Sequence, residues 1–470
     1  MKGAPEVVIE RCNKILLNGK IQSFAQEHKV KYFHHTEFLA KQALRNLAFA
    51  YKELSCDVEE FTEEMEEEGF VFVGIMSMID PPRPEVKDAI AVCKNAGIRV
   101  VMITGDHKLT ATAVGKELNL IDESQEADFV VTGRELELMS DEELADVVEE
   151  IVIYARVSPE HKVRIVRAWK EKNQVVAMTG DGVNDAPALK ISDVGIAMGI
   201  SGTEVSKEAA DMVLSDDNFA SIVRAVKEGR EIFDNIKKCL TYLLQCNIME
   251  VLVMFIAVVS VPFLASIFSP SSDIGAVNNA AIALTTVQIL WMNLVTDGLP
   301  AIALSIDHGD HDLMERKPCK PTESIFTRDV KVYLTAVTTL MTVLLLLAYF
   351  SNLPWMSELH LLQARTQLLT AMIVIQLPLS LSMRSLRYPV FKVGLFKNKH
   401  LWGAIIAAFV LQLVILYVPG IQPFFGIQTP RLIDWVVAIS CGAIVFGSIE
   451  IGKCVVAAFK KKTPKTLRKS

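Results

Sequence analysis

Thr179-Gly180-Asp181-Gly182-Val183-Asn184-Asp185-Ala186-Pro187-Ala188-Leu189 closes a short apolar run and opens a helical one, and its reading decides the fold. Glycine lets backbone approach a phosphate, the threonine hydroxyl and asparagine amide donate to its oxygens, and Asp181 and Asp185, four apart, can share a Mg²⁺. A turn with a helix cap explains a lone T-G-D as well. The tripeptide recurs, however, as Thr104-Gly105-Asp106 at the end of another apolar run. Between and around the two, residues 70–200 alternate short apolar stretches with longer amphipathic ones, the pattern of a parallel α/β sheet. Strands are expected at 70–75, 98–103, 129–131, 151–154, 174–178 and 194–197, with helices at 84–95, 108–118, 141–149, 160–171 and 186–190. In such sheets chemistry gathers at the carboxyl ends of the strands, where both T-G-D tripeptides stand. Lys162 opens the helix after the fourth strand, within reach of a bound phosphate; a solvated surface lysine is the alternative.

Ahead of the sheet, strand-like segments at 6–10, 14–17 and 47–51 and a helix near 37–45 precede or surround an acidic connector at 59–68. Residues 200–238 read as helix and stalk. The charge is divided: residues 1–238 hold 29 Lys and Arg against 43 Asp and Glu, and residues 239–470 hold 19 against 12. An acidic soluble half followed by an apolar one excludes a purely soluble enzyme, a disordered chain and a nucleic-acid partner, since the soluble half would repel phosphate backbones. The eight cysteines form no C-x-x-C pair, so they read as buried thiols of a reducing compartment. Residues 1–6 carry no apolar core of a signal peptide.

Six stretches of the apolar half are long enough to cross a bilayer: about 239–264, 284–306, 332–350, 366–383, 401–419 and 435–452. Arg316, Lys317, Lys320, Arg328 and Lys331 lie between spans two and three, and Arg384, Arg387, Lys392, Lys397 and Lys399 between four and five. The tail carries Lys460, Lys461, Lys462, Lys465, Arg468 and Lys469, while the alternate loops have no Lys or Arg, so the soluble half and tail are expected in the cytoplasm. Glu250 and Asp297 sit mid-span, where a carboxylate facing lipid costs several kcal/mol (roughly) unless paired or hydrated. Asn247 shares a helix face with Glu250, and Asn293 with Asp297 beside Thr296, an all-oxygen set suited to a hard cation. Gly298 and Pro300 loosen the second span just beyond Asp297. Polar glue between helices is the alternative, and for Gln376 beside Pro378 the two readings are even.

These motifs resemble the P-type cation-transporting ATPases over essentially the whole chain. Lys2-Gly3-Ala4-Pro5-Glu6 is similar to the motif whose lysine lines the ATP pocket, and Asp80-Pro81-Pro82-Arg83 to the hinge between nucleotide and phosphorylation domains. Thr104 to Asp106, Lys162 and Thr179 to Leu189 are similar to the second, third and fourth motifs of the haloacid dehalogenase superfamily. Asn247 with Glu250, and Asn293 to Gly298, resemble the ion-binding segments of calcium pumps of the sarco/endoplasmic-reticulum kind and their bacterial relatives.

The resemblance implies the remainder of an α+β nucleotide-binding domain at 1–75 and an incomplete α/β haloacid-dehalogenase-like (Rossmann-type) phosphorylation domain at 76–225. A stalk and a six-helix all-α transmembrane bundle at 226–470 complete it. It implies ATP as substrate, Mg²⁺ as cofactor, a lipid bilayer as partner and a transported cation, Ca²⁺ foremost. Asp181 and Asp185 are then Mg²⁺ ligands; Thr104 and Lys162 neutralise the phosphoryl oxygens, Asn184 orients them, and Gly105 and Asp106 complete the catalytic motif. Lys2, Gly3, Lys52, Arg83 and Arg156 are nucleotide contacts, Lys52 standing where an arginine is expected. Asn247, Glu250, Asn293, Thr296, Asp297 and Gln376 are ligands of the transported cation, Gln376 standing where the calcium pumps have glutamate.

No D-K-T-G-T string, which would hold the phosphorylated aspartate, occurs in the sequence. The resemblance therefore implies a C-terminal portion whose partner is the N-terminal portion of the same pump, a sheet lacking a central strand, and no phosphoenzyme from this polypeptide alone. The alternatives are a pump for Mn²⁺ or a monovalent ion, a short membrane protein that binds nucleotide or regulates a pump, and a phosphatase fused to a membrane anchor.

Overall fold

In the computed structural model the chain divides into two compact units, Met1–Val226 with Met314–Thr322, and Lys227–Leu313 with Glu323–Ser470. The described residues are 1–40, 42, 44–53, 69–78, 81–121, 129–268, 274–319, 323–353 and 358–462. The acidic connector, Cys56, Asp80, Lys320, Lys465, Arg468 and Lys469 lie outside them.

The first unit opens with β1 (Lys2–Gly3), α1 (Pro5–Glu10), β2 (Cys12–Leu17), β3 (Lys20–Ser23), α2 (Gln26–Ala40), β4 (Arg45–Tyr51) and β5 (Phe70–Met78). The strands form one sheet, ordered β1-β4-β5-β2-β3, in which only the β2–β5 pair is parallel. The strand expected at 6–10 is a helix. Pro5 presets the first helical φ, and Pro5, Val8 and Ile9, three and four apart, bury one face. The helix expected near 37–45 lies earlier, at Gln26–Ala40, because the chain from Arg45 pairs with β5 over seven positions and that ladder overrides local preference. Phe24, Tyr32 and Phe72 fill the core beneath the sheet, Phe24 stacking on Phe72 at 5.1 Å and Tyr32 meeting it edge-on at 5.0 Å.

The chain continues through α3 (Pro84–Asn95), β6 (Met102–Thr104), α4 (Lys108–Glu117), β7 (Val130–Thr132), α5 (Gly133–Leu138), α6 (Asp141–Val147) and β8 (Ile153–Ala155). It then forms α7 (Pro159–Glu171), β9 (Ala177–Gly180), α8 (Ala186–Ile191), β10 (Val194–Met198), α9 (Glu204–Ala209) and β11 (Met212–Leu214). Every strand pair here is parallel, as the helix-separated apolar runs require. The expected single parallel sheet is corrected twice: its first expected strand, 70–75, is β5 of the preceding sheet, where it pairs antiparallel with β4, and the remaining strands form two sheets, ordered β6-β8-β7 and β11-β10-β9. Among the described residues β6 pairs only with β8 and β9 only with β10, so each strand leading into a T-G-D tripeptide stands at a sheet edge. Side chains rather than ladder hydrogen bonds join the sheets: Ile103 of β6 packs with Val166 of α7 and Met178 of β9.

From β11 the chain enters α10 (Phe219–Phe268), then α11 (Ile274–Ala281), α12 (Thr286–Trp291), a π turn at Met292–Thr296, and α13 (Gly298–Ser305). The remaining helices are α14 (Arg328–Ser351), α15 (Glu358–Ser382), α16 (Val390–Val393), α17 (Lys399–Tyr417), α18 (Gln422–Phe425) and α19 (Leu432–Lys462). Among the described residues six segments are long and apolar enough to cross a membrane, in the six places expected. The fourth, on α15, is 83% buried against 33–44% for the others, which makes α15 the central helix of the bundle. The expectation that all cysteines are buried is corrected for Cys239, which is half-buried, and for Cys319 and Cys454, which are exposed; Cys319 lies in a polar connection and Cys454 on an outer face of α19.

Candidate functional site

Two sites emerge, one in each unit. In the first, β9 delivers Thr179, Gly180 and Asp181 to its carboxyl end, and the chain turns through Val183–Asp185 into α8. That turn buries Asp185, whose Oδ2 accepts the N–H groups of Asp181 and Gly182, each at 3.2 Å. Its Oδ1 accepts a hydrogen bond from the Lys162 ammonium, one turn into α7. Ser158 caps α7 by accepting from the His161 N–H, and Pro159 occupies the first helical position, which fixes where Lys162 emerges. Gly180 has no room for a side chain: a Cβ there would meet the Asp185 Cβ at 2.4 Å. Asp181 keeps its carboxylate exposed while its carbonyl accepts from Thr203 N–H at 2.8 Å and Ser206 Oγ at 3.1 Å.

The second T-G-D is built as a closed turn. Asp106 N–H donates to Thr104 Oγ1 at 3.1 Å, and Thr104 Oγ1 donates to Asp106 Oδ2 at 3.0 Å. The Thr104 carbonyl accepts the Val157 N–H at 3.4 Å, which ties this turn to the segment leading into α7. Arg156, in the left-handed region at φ 52°, donates its N–H to the Asp106 carbonyl and brings a guanidinium nitrogen to 3.8 Å from Glu6 of α1. His107 stands the same distance from Glu6. Burial, then the neighbouring Arg156 charge, pushes the His107 pKa below its ordinary value.

The remaining proposed nucleotide contacts are spread through the unit. Lys2 and Gly3 pair with Phe49 and Ala48 along β1, Lys52 follows β4 with its ammonium 5.6 Å from the Phe70 ring centre, and Arg83 donates to the Asp216 carbonyl at 3.4 Å. Asn184 is exposed on the turn beside Asp185.

In the second unit, Asp297 N–H reaches back five residues to the Met292 carbonyl at 2.9 Å, and this wide turn carries Asn293 and Thr296. Such turns recur at functional sites. Asn293 Nδ2 donates across to Glu250 Oε2 of α10 at 3.3 Å. Glu250, Asp297 and Gln376 are all buried, and Glu250 Oε1, both Asp297 oxygens and both amide atoms of Gln376 have no hydrogen-bond partner. Thr296 is buried and donates to the Met292 carbonyl at 2.8 Å. Asn247 lies apart, on an exposed face of α10. Sequence reasoning passed over Tyr242 and Cys246, which approach the Asp297 carboxylate and are fully buried. Their spacing could have found them, because Tyr242, Cys246 and Glu250 fall on one α10 stripe at intervals of four.

Three family models match: "P-type ATPase, cytoplasmic domain N" over residues 1–85, haloacid dehalogenase-like hydrolase over 163–226, and "Cation transporting ATPase, C-terminus" over 281–455. The chain is 41% identical over 450 residues to calcium-transporting ATPase 1 of Bacillus cereus, covering 92% of this chain and 48% of the relative. It is 41% identical over 444 residues to the calcium-transporting ATPase of Bacillus subtilis, covering 94% and 47%. The chain belongs to the P-type cation-transporting ATPases. It is also 42% identical over 351 residues to the sodium/potassium-transporting ATPase subunit alpha-1 of Oreochromis mossambicus, covering 68% and 33%. The chain spans about half the length of the curated calcium-transporting relatives it matches. With six membrane-crossing segments and this family membership, it is an integral multi-pass membrane protein.

Proposed function

We propose that the chain supplies the phosphate-handling and cation-binding machinery of an ATP-driven cation transporter that works through an aspartyl phosphate, with Ca²⁺ as its substrate. The observation that carries this reading is the cluster of Glu250, Asp297 and Gln376. Five oxygen or amide atoms stand there without partners inside an apolar bundle, where unsatisfied polar groups cost several kcal/mol (roughly). The four oxygens among them are hard donors that suit a Group 2 cation. Asn293 holds one Glu250 oxygen and leaves the other open. The cytoplasmic side of the membrane would be the side of the soluble unit, given the Lys and Arg of alternate loops.

In the soluble unit the donor set fits Mg²⁺: Asp181 presents an exposed carboxylate with no hydrogen-bond partner among the described residues, and Mg²⁺ is commonly held by one or two carboxylates, water and phosphate. Asp181 would hold the ion, with Asp185 adding to the site through water, since both Asp185 oxygens already accept hydrogen bonds. When bound, Mg²⁺ neutralises charge on the transferring phosphoryl group. Lys162 and the Thr104 hydroxyl stand at the neighbouring strand and helix ends to hold phosphoryl oxygens, and Asn184 offers its amide from the exposed turn. Lys2, Gly3, Lys52, Arg83 and Arg156 would contact the nucleotide. The nucleophilic aspartate has to come from a D-K-T-G-T segment, and the free edges of β6 and β9 suit the strand that would carry it.

The test fuses the N-terminal half of the Bacillus subtilis relative ahead of Met1 and measures ATP-dependent uptake of radiolabelled Ca²⁺ into vesicles. Uptake that Asp297→Asn abolishes supports the reading; a fusion that forms phosphoenzyme but accumulates no Ca²⁺ overturns its choice of ion. A second reading, transport of Mn²⁺ or a monovalent ion, draws on the neutral Gln376, which leaves the cluster two carboxylates, and on the similarity to a sodium/potassium-transporting relative. ATP hydrolysis stimulated by one of those ions and not by Ca²⁺ selects it.

A further inference from the structure

Residues 199–217 hold a built-in anion, the carboxylate of Asp217. Asp217 lies just beyond β11 in the left-handed region, at φ 48°, a conformation disfavoured for a residue with a side chain. Its carboxylate gathers four donors from the loop after β10. Oδ1 accepts Gly199 N–H at 2.6 Å and Ile200 N–H at 3.0 Å; Oδ2 accepts Ser201 N–H at 2.7 Å and Ser201 Oγ at 2.8 Å. Three successive N–H groups converge on this one anion, as in nests that elsewhere take a phosphate, although the Gly199 N–H is shared with the Leu214 carbonyl of β11 at 2.8 Å. Here the side chain of Asp217 fills the nest.

The loop so held runs directly to Asp181. Gly202 follows, packed so closely that a Cβ would lie 1.9 Å from the Met198 carbonyl oxygen. Thr203 comes next, and its N–H is one of the two donors on the Asp181 carbonyl. Thr203 also caps α9 by accepting Ser206 N–H, and the Ser206 hydroxyl shares its one proton between the Thr203 carbonyl at 2.7 Å and the Asp181 carbonyl at 3.1 Å. The Asp181 N–H is meanwhile held by Asp185. The backbone of Asp181 is thus gripped on both sides while its carboxylate stays open, and one of the two grips traces back to Asp217.

We propose that Asp217 is a positioning residue for the Mg²⁺ site at Asp181, acting through the 199–203 loop and the Thr203–Asp181 hydrogen bond. The inference rests on the reading of Asp181 as a metal ligand. Partners one step removed from a metal ligand commonly change affinity by roughly tenfold or more when removed. Asn in place of Asp217 keeps the shape but replaces one acceptor oxygen with an N–H₂ that meets the loop's donors head-on.

The experiment uses the full 470-residue chain in detergent, in an Asp297→Asn background that removes a membrane carboxylate from the binding count. Mn²⁺ serves as the probe for Mg²⁺, its free concentration read by electron paramagnetic resonance well below the thermal midpoint, together with amide exchange at residues 199–203. Asp217→Asn is expected to weaken Mn²⁺ binding roughly tenfold and to speed exchange at Gly199, Ile200, Ser201 and Thr203. Ser201→Ala, which removes one donor and keeps the carboxylate, is expected to weaken it less and covers the case in which Asp217→Asn does not fold. Unchanged Mn²⁺ affinity alongside faster exchange overturns the proposal and leaves Asp217 as a turn cap. Unchanged affinity in Asp181→Asn overturns the metal reading of Asp181 and the proposal with it, a failure distinguishable from the first.

Discussion

Arg384 and Asp307 meet through two hydrogen bonds, Nε to Oδ2 at 2.9 Å and Nη2 to Oδ1 at 3.2 Å, with the two side chains 1% and 0% exposed. The pair joins the segment after α15 to the end of α13, and Asn235 of α10 donates to the Asp307 carbonyl as well. A buried ion pair of this kind is weak evidence of net stabilisation, because desolvation offsets attraction, but removing one partner strands a charge. Arg384→Met is therefore expected to destabilise the bundle by about 3–5 kcal/mol. Adding Asp307→Leu should recover most of that loss. Denaturation by increasing detergent mole fraction, followed by circular dichroism, checks both; a double variant as damaged as the single one would show that the pair is not isolated.

The two T-G-D glycines have different reasons to be glycine. At Gly180 a Cβ would collide with the Asp185 Cβ, whereas at Gly105 nothing lies within 4 Å. Gly180→Ala is expected to cost about 1–3 kcal/mol, the range of overpacking, and to disturb the Lys162–Asp185 contact. Gly105→Ala should stay within about 0.5 kcal/mol of the parent, as surface changes usually do. Differential scanning of the full chain distinguishes them, and equal shifts would mean that close approach to Asp185 does not matter.

Helix α3, Pro84–Asn95, forms where periodicity places it, because proline starts it and its apolar spacing is helical. The strands of the phosphate site were legible in position but not in length: β6, β7 and β8 have three residues each, since apolar runs mark burial and only part of each run finds a partner. Residues 6–10 misled because β-branched valine and isoleucine favour strand while the decisive fact, Pro5 at the helix start, is a single residue. Glu250, Asp297 and Gln376 stood out as polar residues in apolar spans, and they are buried together with open polar atoms. Asn247 did not join them, for a shared helix face three residues wide still spans exposed and buried positions. Asp217 carried no signal, because its partners lie in a loop 16 to 18 residues away.

Asp217 also sets an acid limit. Hydrogen bonds led by the Ile200 N–H, and joined by Ser201 and Gly199, lower its pKa from the ordinary 3.8 to about 2. A carboxyl with a folded pKa below its unfolded one contributes stability that is complete above the unfolded value and lost as pH falls through the folded one. The contribution is thus present at and above about pH 4 and disappears towards pH 2. Chemical denaturation of the soluble unit within the full chain, repeated from pH 5 to pH 2, should show a slope that Asp217→Asn flattens. The same slope in the variant would assign it to other carboxylates.

Lys162 donates to Asp185, so its reach for a phosphoryl oxygen competes with an ion pair already made. The side chains are 19% and 7% exposed, so the pair is partly desolvated and its strength lies above that of a surface bridge. Asp185 has two further donors in the Asp181 and Gly182 N–H groups; Lys162 has no such reserve among its described bonds. The two single losses should therefore be unequal: Asp185→Asn disturbs the turn and the ammonium together, while Lys162→Met leaves the turn in place. A double-mutant cycle of these substitutions is expected to give a coupling of about 1.5–3 kcal/mol, the range for hydrogen bonds to charged groups. In a fusion able to form phosphoenzyme, Lys162→Met should then slow phosphorylation far more than its stability loss explains. A coupling near zero would mean that the ammonium is not held by Asp185 in solution, and the competition would vanish with it.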